Sequence, residues 1–324
     1  MRTEVVTRYG SPDVVSVGEA ARPVPATDEV LVRVHATTVN RTDAGELNPH
    51  PRLLGRIMFG LSRPRRQTFG LDFAGVVDAL GDGVTTFKAG DRVFGMAPSR
   101  RSGAHADFVC VPERGAIAKM PDNIGFDGAV VCEGAYYADA GLKQFKIGAG
   151  SKVMIYGASG AIGSAAVQLA KAYGAEVTAV VATAHLDMAR ALGADHVIDY
   201  TREDFAEGSA RFNYLLDAVG KESFFRCRKL LKPDGVFAST DMGPWGQNLM
   251  LIVWAGLART NRVVVPLQRR AHIAAFMAEM KARLQAGQFR AVIDRRYPLE
   301  QIADAYRYVE TGQKVGIVVI DVAA

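Results

Sequence analysis

The pattern of apolar positions changes character about a third of the way along the chain. Before that point short runs alternate apolar and polar with period two, in Glu29–His35, Phe73–Leu80 and Ala106–Val111, while Gly90–Gly95 reads as a turn feeding a further strand. Strand side chains point alternately to opposite faces, so this period marks half-buried strands. Glycine and proline punctuate the runs, as in the closing turn Gly81-Asp82-Gly83, and predict a small barrel-like β domain.

After Pro121 apolar strands alternate with helical segments. Lys152–Tyr156, Glu176–Val181, His196–Ile198, Leu215-Leu216 and Val236–Ser239 read as strands, with Val263–Val265 able to close their sheet. Ser164–Tyr173, Leu186–Leu192 and Lys221–Leu231 read as the helices between them. That alternation predicts an α/β fold with a doubly wound parallel sheet. A helix over His272–Ala286, a strand over Val292–Tyr297, a helix over Leu299–Thr311 and a strand over Val315–Asp321 follow.

Composition narrows the class. A chain of 324 residues suits about two domains. Three widely spaced cysteines, Cys110, Cys132 and Cys227, imply no disulfide framework and fit a reducing compartment. No apolar signal core follows Met1, and Leu249–Ala258 falls short of the ~20 residues a membrane helix needs. The expectation is a cytoplasmic protein with no stable membrane association. The net charge of +5 is too diffuse to argue for nucleic acid. It has one local concentration: five arginines between Arg52 and Arg66, mixed with Leu53, Leu54, Ile57, Met58, Phe59 and Leu61. Three readings stand open there: an irregular solvated insert, a mobile flap over a cleft, or a patch that touches a membrane surface.

The chemistry-bearing motif is Gly157-Ala158-Ser159-Gly160-Ala161-Ile162-Gly163, between an apolar strand and an Ala-rich helix. Ala158 is small enough for the tight turn, Gly160 lets a pyrophosphate approach the backbone, and Gly163 allows close helix–sheet packing. The amides opening the helix then face the anion. An NAD site usually carries Asp or Glu about 20 residues on. Here stand Val181-Ala182-Thr183-Ala184-His185, with no acid, so NADPH is expected ahead of NADH, with Thr183 and His185 toward the 2′-phosphate. The alternative for those two residues is a plain helix start.

With that turn, the segments Val39-Asn40-Arg41-Thr42-Asp43, Gly70–Gly75, Gly90–Gly95, Leu192–Tyr200, Asp217–Gly220, Arg295–Glu300 and Tyr308–Gly312 make the chain resemble the medium-chain dehydrogenase/reductase superfamily, in its zinc-independent quinone oxidoreductase branch. The resemblance implies a Rossmann domain over 124–265 inserted in a GroES-like β-barrel catalytic domain of 1–123 and 266–324, and a homodimer. It places Asn40 near the nicotinamide ribose and Tyr200 beside the phosphate. Zinc-dependent members carry Cys where this chain has Asn40 and Gly-His-Glu where it has Gly70-Leu71-Asp72, with a third ligand near Cys132-Glu133. A catalytic zinc needs three protein ligands, so no zinc is expected.

Without that Lewis acid, conjugated acceptors suit hydride transfer best. The expected reaction is reduction of a quinone or an α,β-unsaturated carbonyl. Asn40 and Asp43 are candidates for ordering substrate or cofactor, with a turn-stabilising Asn and a structural cap as their respective alternatives. Glu133 and Tyr137 are candidates for a proton or hydrogen bond, with core packing as the alternative for Tyr137. Ala218, Val219, Gly220, Thr240 and Asp241 follow sheet strands at the carboxyl edge where ligands bind, and complete the candidate cofactor site. Two other functions remain open: an aldehyde or ketone reductase, and a cofactor-binding sensor or structural protein without turnover.

Overall fold

The computed structural model describes all residues except 99–102, 242–247, 249, 252–253, 255–262, 265–271 and 324. It divides into two compact units, residues 1–133 with 270–324 and residues 134–269. The first seam thus falls at 133/134, where the sequence suggested 123/124; the second lies among residues outside the description.

The first unit is organised by one strand. Its elements are β1 (Arg2–Val6), β2 (Val15–Glu19), β3 (Glu29–Val39), β4 (Asp72–Leu80), β5 (Arg92–Met96), β6 (Phe108–Pro112) and β7 (Ile117–Lys119), with helices α1 (Arg41–Leu47), α2 (Arg52–Phe59) and α3 (Phe126–Ala129). β3 pairs antiparallel with β4, β6 and the C-terminal strand β15 (Ile317–Asp321), which itself pairs parallel with β14 (Ile293–Pro298). β3 was expected to be half-buried. With ladders on both edges it is buried almost throughout, leaving only Arg33 exposed. Phe69, Phe73, Leu47 and Tyr306 are fully buried in the core of this unit. Tyr306 comes from the helix Ile302–Glu310, and the helix Ile273–Gln285 belongs to the same unit. The segment beginning at Arg52 is a helix, α2, rather than an irregular insert.

The second unit carries the parallel sheet, preceded by α4 (Cys132–Gln144), whose first two residues belong to the first unit. Its strands are β8 (Lys152–Tyr156), β9 (Glu176–Val181), β10 (His196–Asp199), β11 (Phe212–Asp217), β12 (Leu231–Ser239) and β13 (Val263–Val264). Every pairing is parallel and the order is β10-β9-β8-β11-β12-β13. Relabelled from β8 as the first strand, that is 3-2-1-4-5-6, the doubly wound dinucleotide-binding order. The chain reverses direction of travel between β8 and β11, so the loops leaving those two strands open a crevice at the carboxyl edge.

The helices α5 (Ala161–Ala172) and α6 (Leu186–Ala191) follow the sequence expectation closely. The helix expected over Lys221–Leu231 is far shorter: α7 spans Phe224–Cys227, a 3-10 turn follows over Arg228–Leu230, and β12 begins at Leu231. Its apolar residues Phe224, Cys227, Leu230 and Leu231 are buried, so a core-facing stripe was mistaken for a longer helix. Val5-Val6, strand-like in the sequence, end β1, whereas no pattern announced β2 or α4. Val265 and most of the apolar stretch Leu249–Ala258 lie outside the described residues. Among the described residues no helix is long and apolar enough to cross a membrane.

Candidate active site and cofactor site

The glycine-rich turn has the mechanics its residues require. Gly157 leaves β8 with φ +76°, and a Cβ there would meet Val219 Cγ2 at 2.0 Å. The loops after β8 and β11 therefore approach as closely as they do because position 157 is bare. A Cβ on Gly163 would strike the Gly157 carbonyl oxygen at 2.2 Å, so α5 packs directly under the turn. Gly160, the N-cap of α5, is different: an added Cβ would meet nothing nearer than 3.7 Å. Space is left open above it, the cradle a pyrophosphate needs. The first helical hydrogen bond runs from the Ser164 amide to the Gly160 carbonyl (2.8 Å), so the amides of Ala161, Ile162 and Gly163 precede it and point out of the helix end. Ala158 is buried; Ser159, Gly160, Ala161 and Ile162 are half-buried at the mouth. The residues fit a dinucleotide.

On the other side of the crevice, Asp217 ends β11 fully buried. Its carboxylate accepts the amides of Val219 (3.0 Å), Gly220 (2.8 Å) and Glu222 (2.9 Å), which shapes the turn through Ala218. Gly220 has φ +76°, and a Cβ there would lie 2.3 Å from Asp241 Cβ, so the loops after β11 and β12 also touch. The Thr240 amide donates back to the Asp217 carbonyl (3.1 Å). The structure brings together the turn residues 157–163 with Ala218, Val219, Gly220, Thr240 and Asp241 at one sheet edge.

The end of β9 differs from the sequence reading in one respect that matters. Thr183 and Tyr200 are exposed and His185 is half-buried, but the strand end is not free of acid. β10 lies beside β9 with Asp199 opposite Val181, and the Thr183 hydroxyl donates to Asp199 Oδ2 at 2.5 Å. Asp199 also accepts the Thr201 amide (2.9 Å) and hydroxyl (2.6 Å), and Arg202 Nε lies 3.5 Å from Oδ2. The Thr183 hydroxyl, first among these partners, holds the Asp199 carboxyl below its ordinary range. Thr183 thus spends its proton on a neighbour, and Arg202 brings a cation to this edge. Tyr200 and Arg202, with Tyr156, Phe205 and Arg226, line a cavity of about 360 Å³ that also carries the acidic Glu203 and Asp204.

The remaining candidates form a buried polar ring in the first unit. The end of β3 delivers Thr38 and Asn40, and Asn40 is the N-cap of α1. Asp43, one turn on, accepts the Asn40 amide (2.8 Å) with one oxygen and the Gly70 amide (3.1 Å) with the other. Both Asp43 oxygens are engaged, so this residue clips the helix start to the loop at Gly70. The Asn40 side-chain amide donates to Thr38 Oγ1 (2.8 Å) and to Glu133, and Thr42 donates to the other Glu133 oxygen. The Glu133 backbone amide donates to Asp72 Oδ1 (2.8 Å), and the Thr38 hydroxyl reaches Asp72 Oδ2 at 3.4 Å. The Asn40 side chain faces the Asp43 backbone amide in a capping box, and among the described residues its Oδ1 has no stronger hydrogen bond. Tyr137 lies one turn beyond Glu133 on α4, half-buried and in the second unit.

Burial governs the charges here. It raises the Asp43, Asp72 and Glu133 carboxyls above the carboxylate range; Asp43 and Asp72 push Glu133 further, and the His105 charge works against the rise at Asp43. Burial alone would lower His105, yet Glu4 and Asp43 outweigh it and bring the imidazole to about 9. Its geometry agrees. Nδ1 faces Glu4 Oε2 (3.1 Å) and Nε2 faces the Thr38 carbonyl (2.9 Å), two acceptors that ask for a proton on each nitrogen. Lys314, missed in the sequence, donates to the Gly316 carbonyl (2.7 Å); burial lowers its ammonium to about 8, with Glu133 opposing. Cys132 is fully buried, and burial raises its thiol well above the usual value.

Two units of this kind, one a β3-centred sheet and the other a dinucleotide fold, define an oxidoreductase class, and comparison with known proteins gives the family. Residues 26–122 match the alcohol dehydrogenase GroES-like domain, and residues 192–320 match the zinc-binding dehydrogenase domain. The chain is 31% identical to the NAD(P)H oxidoreductase RTN4IP1, mitochondrial, of Mus musculus, over 91% of this chain and 82% of that protein. It is 29% identical to the chloroplastic NADPH-dependent alkenal/one oxidoreductase of Arabidopsis thaliana, over 99% and 79%. The quinone oxidoreductase of Pseudomonas syringae pv. Tomato superposes with a TM-score of 0.80 at 26% identity, over 99% of each chain. The chain belongs to the medium-chain dehydrogenase/reductase superfamily, in its quinone oxidoreductase-like branch.

The buried groups fix the sign of the pH dependence of stability. Carboxyls raised on folding leave the native state holding more protons than the unfolded chain, as does a histidine raised from 6.5 to about 9. Stability from these groups is therefore complete at low pH and lost as pH rises through their folded values. Lys314 has the opposite sign, but only from about 8 to its ordinary 10.5. The thermal midpoint of unfolding should fall steadily between pH 5 and 8, and His105→Gln should flatten the upper half of that slope. Circular dichroism melts across the interval check it; a midpoint that rises with pH would contradict the assignment.

Proposed function

We propose that the protein transfers hydride from NADPH to a quinone or an α,β-unsaturated carbonyl without a metal. One observation carries the reading. Where zinc-dependent members of the superfamily place a thiolate ligand, the Asn40 amide donates to Thr38 and Glu133, and the carboxyl it meets is one that burial drives toward its protonated form. That arrangement offers a hydrogen-bonded carboxyl that can hold a proton in place of a Lewis acid. The set does not fit zinc: Leu71 has no donor atom, and Asp72 already accepts the Glu133 amide. An isolated ketone needs strong polarisation, whereas a conjugated acceptor spreads the incoming charge to a distant atom that a hydrogen bond or a proton can meet. The named activities of the Arabidopsis and Pseudomonas proteins support the same substrate class.

Bound nicotinamide supplies the hydride. The chain's own contribution begins with the amides of Ala161–Gly163 and the bare Gly160, which take the pyrophosphate. Glu133 holds a proton, Thr42 and Asn40 fix its carboxyl, and Lys314 lowers the cost of the carboxylate left behind. Asn40 has one acceptor, Oδ1, held only by the weak capping contact to the Asp43 amide and able to turn to cofactor or substrate. Asp43 is a positioning residue that acts through Asn40 and Gly70. At the far end, the Asp199 carboxylate accepts three hydrogen bonds from Thr183 and Thr201 and lies 3.5 Å from Arg202 Nε, so this acid is already engaged where it would grip ribose hydroxyls. Arg202, its side chain 75% exposed, offers the remaining guanidinium donors to a 2′-phosphate. The preference for NADPH thus rests on Arg202 more than on Thr183.

Three outcomes follow from this reading. The purified protein should oxidise NADPH with quinones and enones and retain that activity in chelator; faster turnover of isolated ketones, or loss of activity with the metal, would overturn it. Glu133→Gln should lower kcat on the order of a hundredfold, the usual scale for a general acid, with little change in the cofactor KM. In the wild type kcat should fall as pH rises through the raised Glu133 value, and the variant should lose that limb. For the cofactor, Arg202→Ala should reduce the NADPH-over-NADH ratio of kcat/KM about tenfold, or ~1.4 kcal/mol, and Ala184→Arg should increase it. A ratio unmoved by both substitutions would place the phosphate elsewhere.

A further inference from the structure

The segment after α1 has features that the hydride chemistry does not use. The first turns of α2 put Leu53 and Ile57, four residues apart, on one face, and they are 75% and 55% exposed; Met58 and Leu61 extend the apolar surface at 57% and 72%. Gly55 faces the other way and is buried against Pro49, where a Cβ would lie 2.2 Å from that ring. Packing thus holds the helix with its apolar face outward. The end of α2 is tied down as well: the Tyr9 hydroxyl donates to the Gly60 carbonyl (2.7 Å) and the Arg65 amide to the Phe59 carbonyl (2.8 Å). The face is built, not frayed.

Charge identifies what it meets. From residue 47 to 71 there are five arginines and no aspartate or glutamate, a local excess equal to the +5 of the whole chain. Arg66 pairs with Glu46 at 2.5 Å. Among the described residues Arg52, Arg56, Arg63 and Arg65 have no carboxylate partner; Arg56 lies over the Tyr9 ring, 5.6 Å from its centroid. Arg52 and Arg56, also four apart, flank the Leu53–Ile57 stripe. A short amphipathic helix with apolar side chains outward and arginines at their border has the chemistry of an interfacial segment, in which the aliphatic groups enter the acyl boundary and the guanidiniums meet lipid phosphates.

We propose that α2 and the arginines following it dock this protein reversibly on an anionic lipid surface. The attachment is peripheral, consistent with the absence of a membrane-crossing helix among the described residues. It places the protein where apolar acceptors partition, but it does not depend on how the hydride site is read.

Sedimentation with vesicles of phosphatidylcholine, with and without phosphatidylserine, tests it on the full chain. Binding should require phosphatidylserine and weaken with salt. Arg52→Gln and Arg56→Gln should each cost about fivefold in affinity, the ~1 kcal/mol carried by an arginine near such a surface. Leu53→Asn with Ile57→Asn should cost more than about tenfold. All these variants should keep wild-type kcat and KM for a water-soluble quinone. Equal binding to both vesicles, or no binding to either, overturns the proposal. So does a smaller hydrodynamic size in the Leu53/Ile57 variant, which would show a second copy covering the face, or a raised quinone KM, which would make the segment a flap over substrate.

Discussion

Putting carboxylates inside a protein is costly unless backbone donors and opposite charges receive them. Among the described residues the first unit takes in five, Glu4, Glu29, Asp43, Asp72 and Glu133, and its local architecture follows from how they are satisfied. Asp43 joins the start of α1 to the Gly70 loop. Asp72 receives the amide of Glu133. Glu4 accepts the Phe69 amide (2.6 Å) and faces the imidazole of His105. Strand β3 is the common support, because Thr38 meets Asn40, Asp72 and His105 in turn. Remove one acid and the loss is a set of stranded donors on several elements, not a single bond.

The parallel sheet solves a different problem, that of bringing three loops to one edge without filling the space between them. Bare positions at 157 and 220 let neighbouring loops touch, while the bare position at 160 is left facing open space. Asp217 then fixes the middle loop by accepting three consecutive-turn amides. One unit therefore supplies rigid anion-facing amides, and the other a ring of titratable groups held by burial. The chemistry proposed for the protein needs both kinds of group.

How much of this could be read from residues alone depended on distance along the chain. The turn at 157–163 and the strands β8 and β9 were legible because each is a local pattern with a local mechanical reason. Asn40 and Glu133 were found as candidates, but their mutual hydrogen bond spans 93 residues and no periodicity announces it. Asp199 was overlooked for a related reason. A search along β9 for an acid at its end sees only Thr183 and His185, whereas in a parallel sheet the neighbour's end is just as close, and Val181 opposite Asp199 puts the carboxylate there sideways. Lys314 was unremarkable as one more basic residue until burial made it otherwise. The segment at Arg52 left an irregular insert open as a reading because helical periodicity is judged by a buried face, and among the described side chains of α2 Leu53, Ile57 and Met58 are exposed.

The same buried acids give folding of the first unit a proton stoichiometry. Near neutral pH an unfolded chain carries Asp43, Asp72 and Glu133 ionised and His105 mostly neutral; burial and the Glu4 charge draw protons onto these groups as the unit forms. Folding is then an uptake reaction, and the solvent must supply the protons. Part of the heat of folding belongs to whichever buffer gives them up, so calorimetric enthalpies taken in phosphate and in an amine buffer should differ by the ionisation heat of the buffer multiplied by the number taken up. The interior of this unit works as a weak base that exists only while the chain is folded.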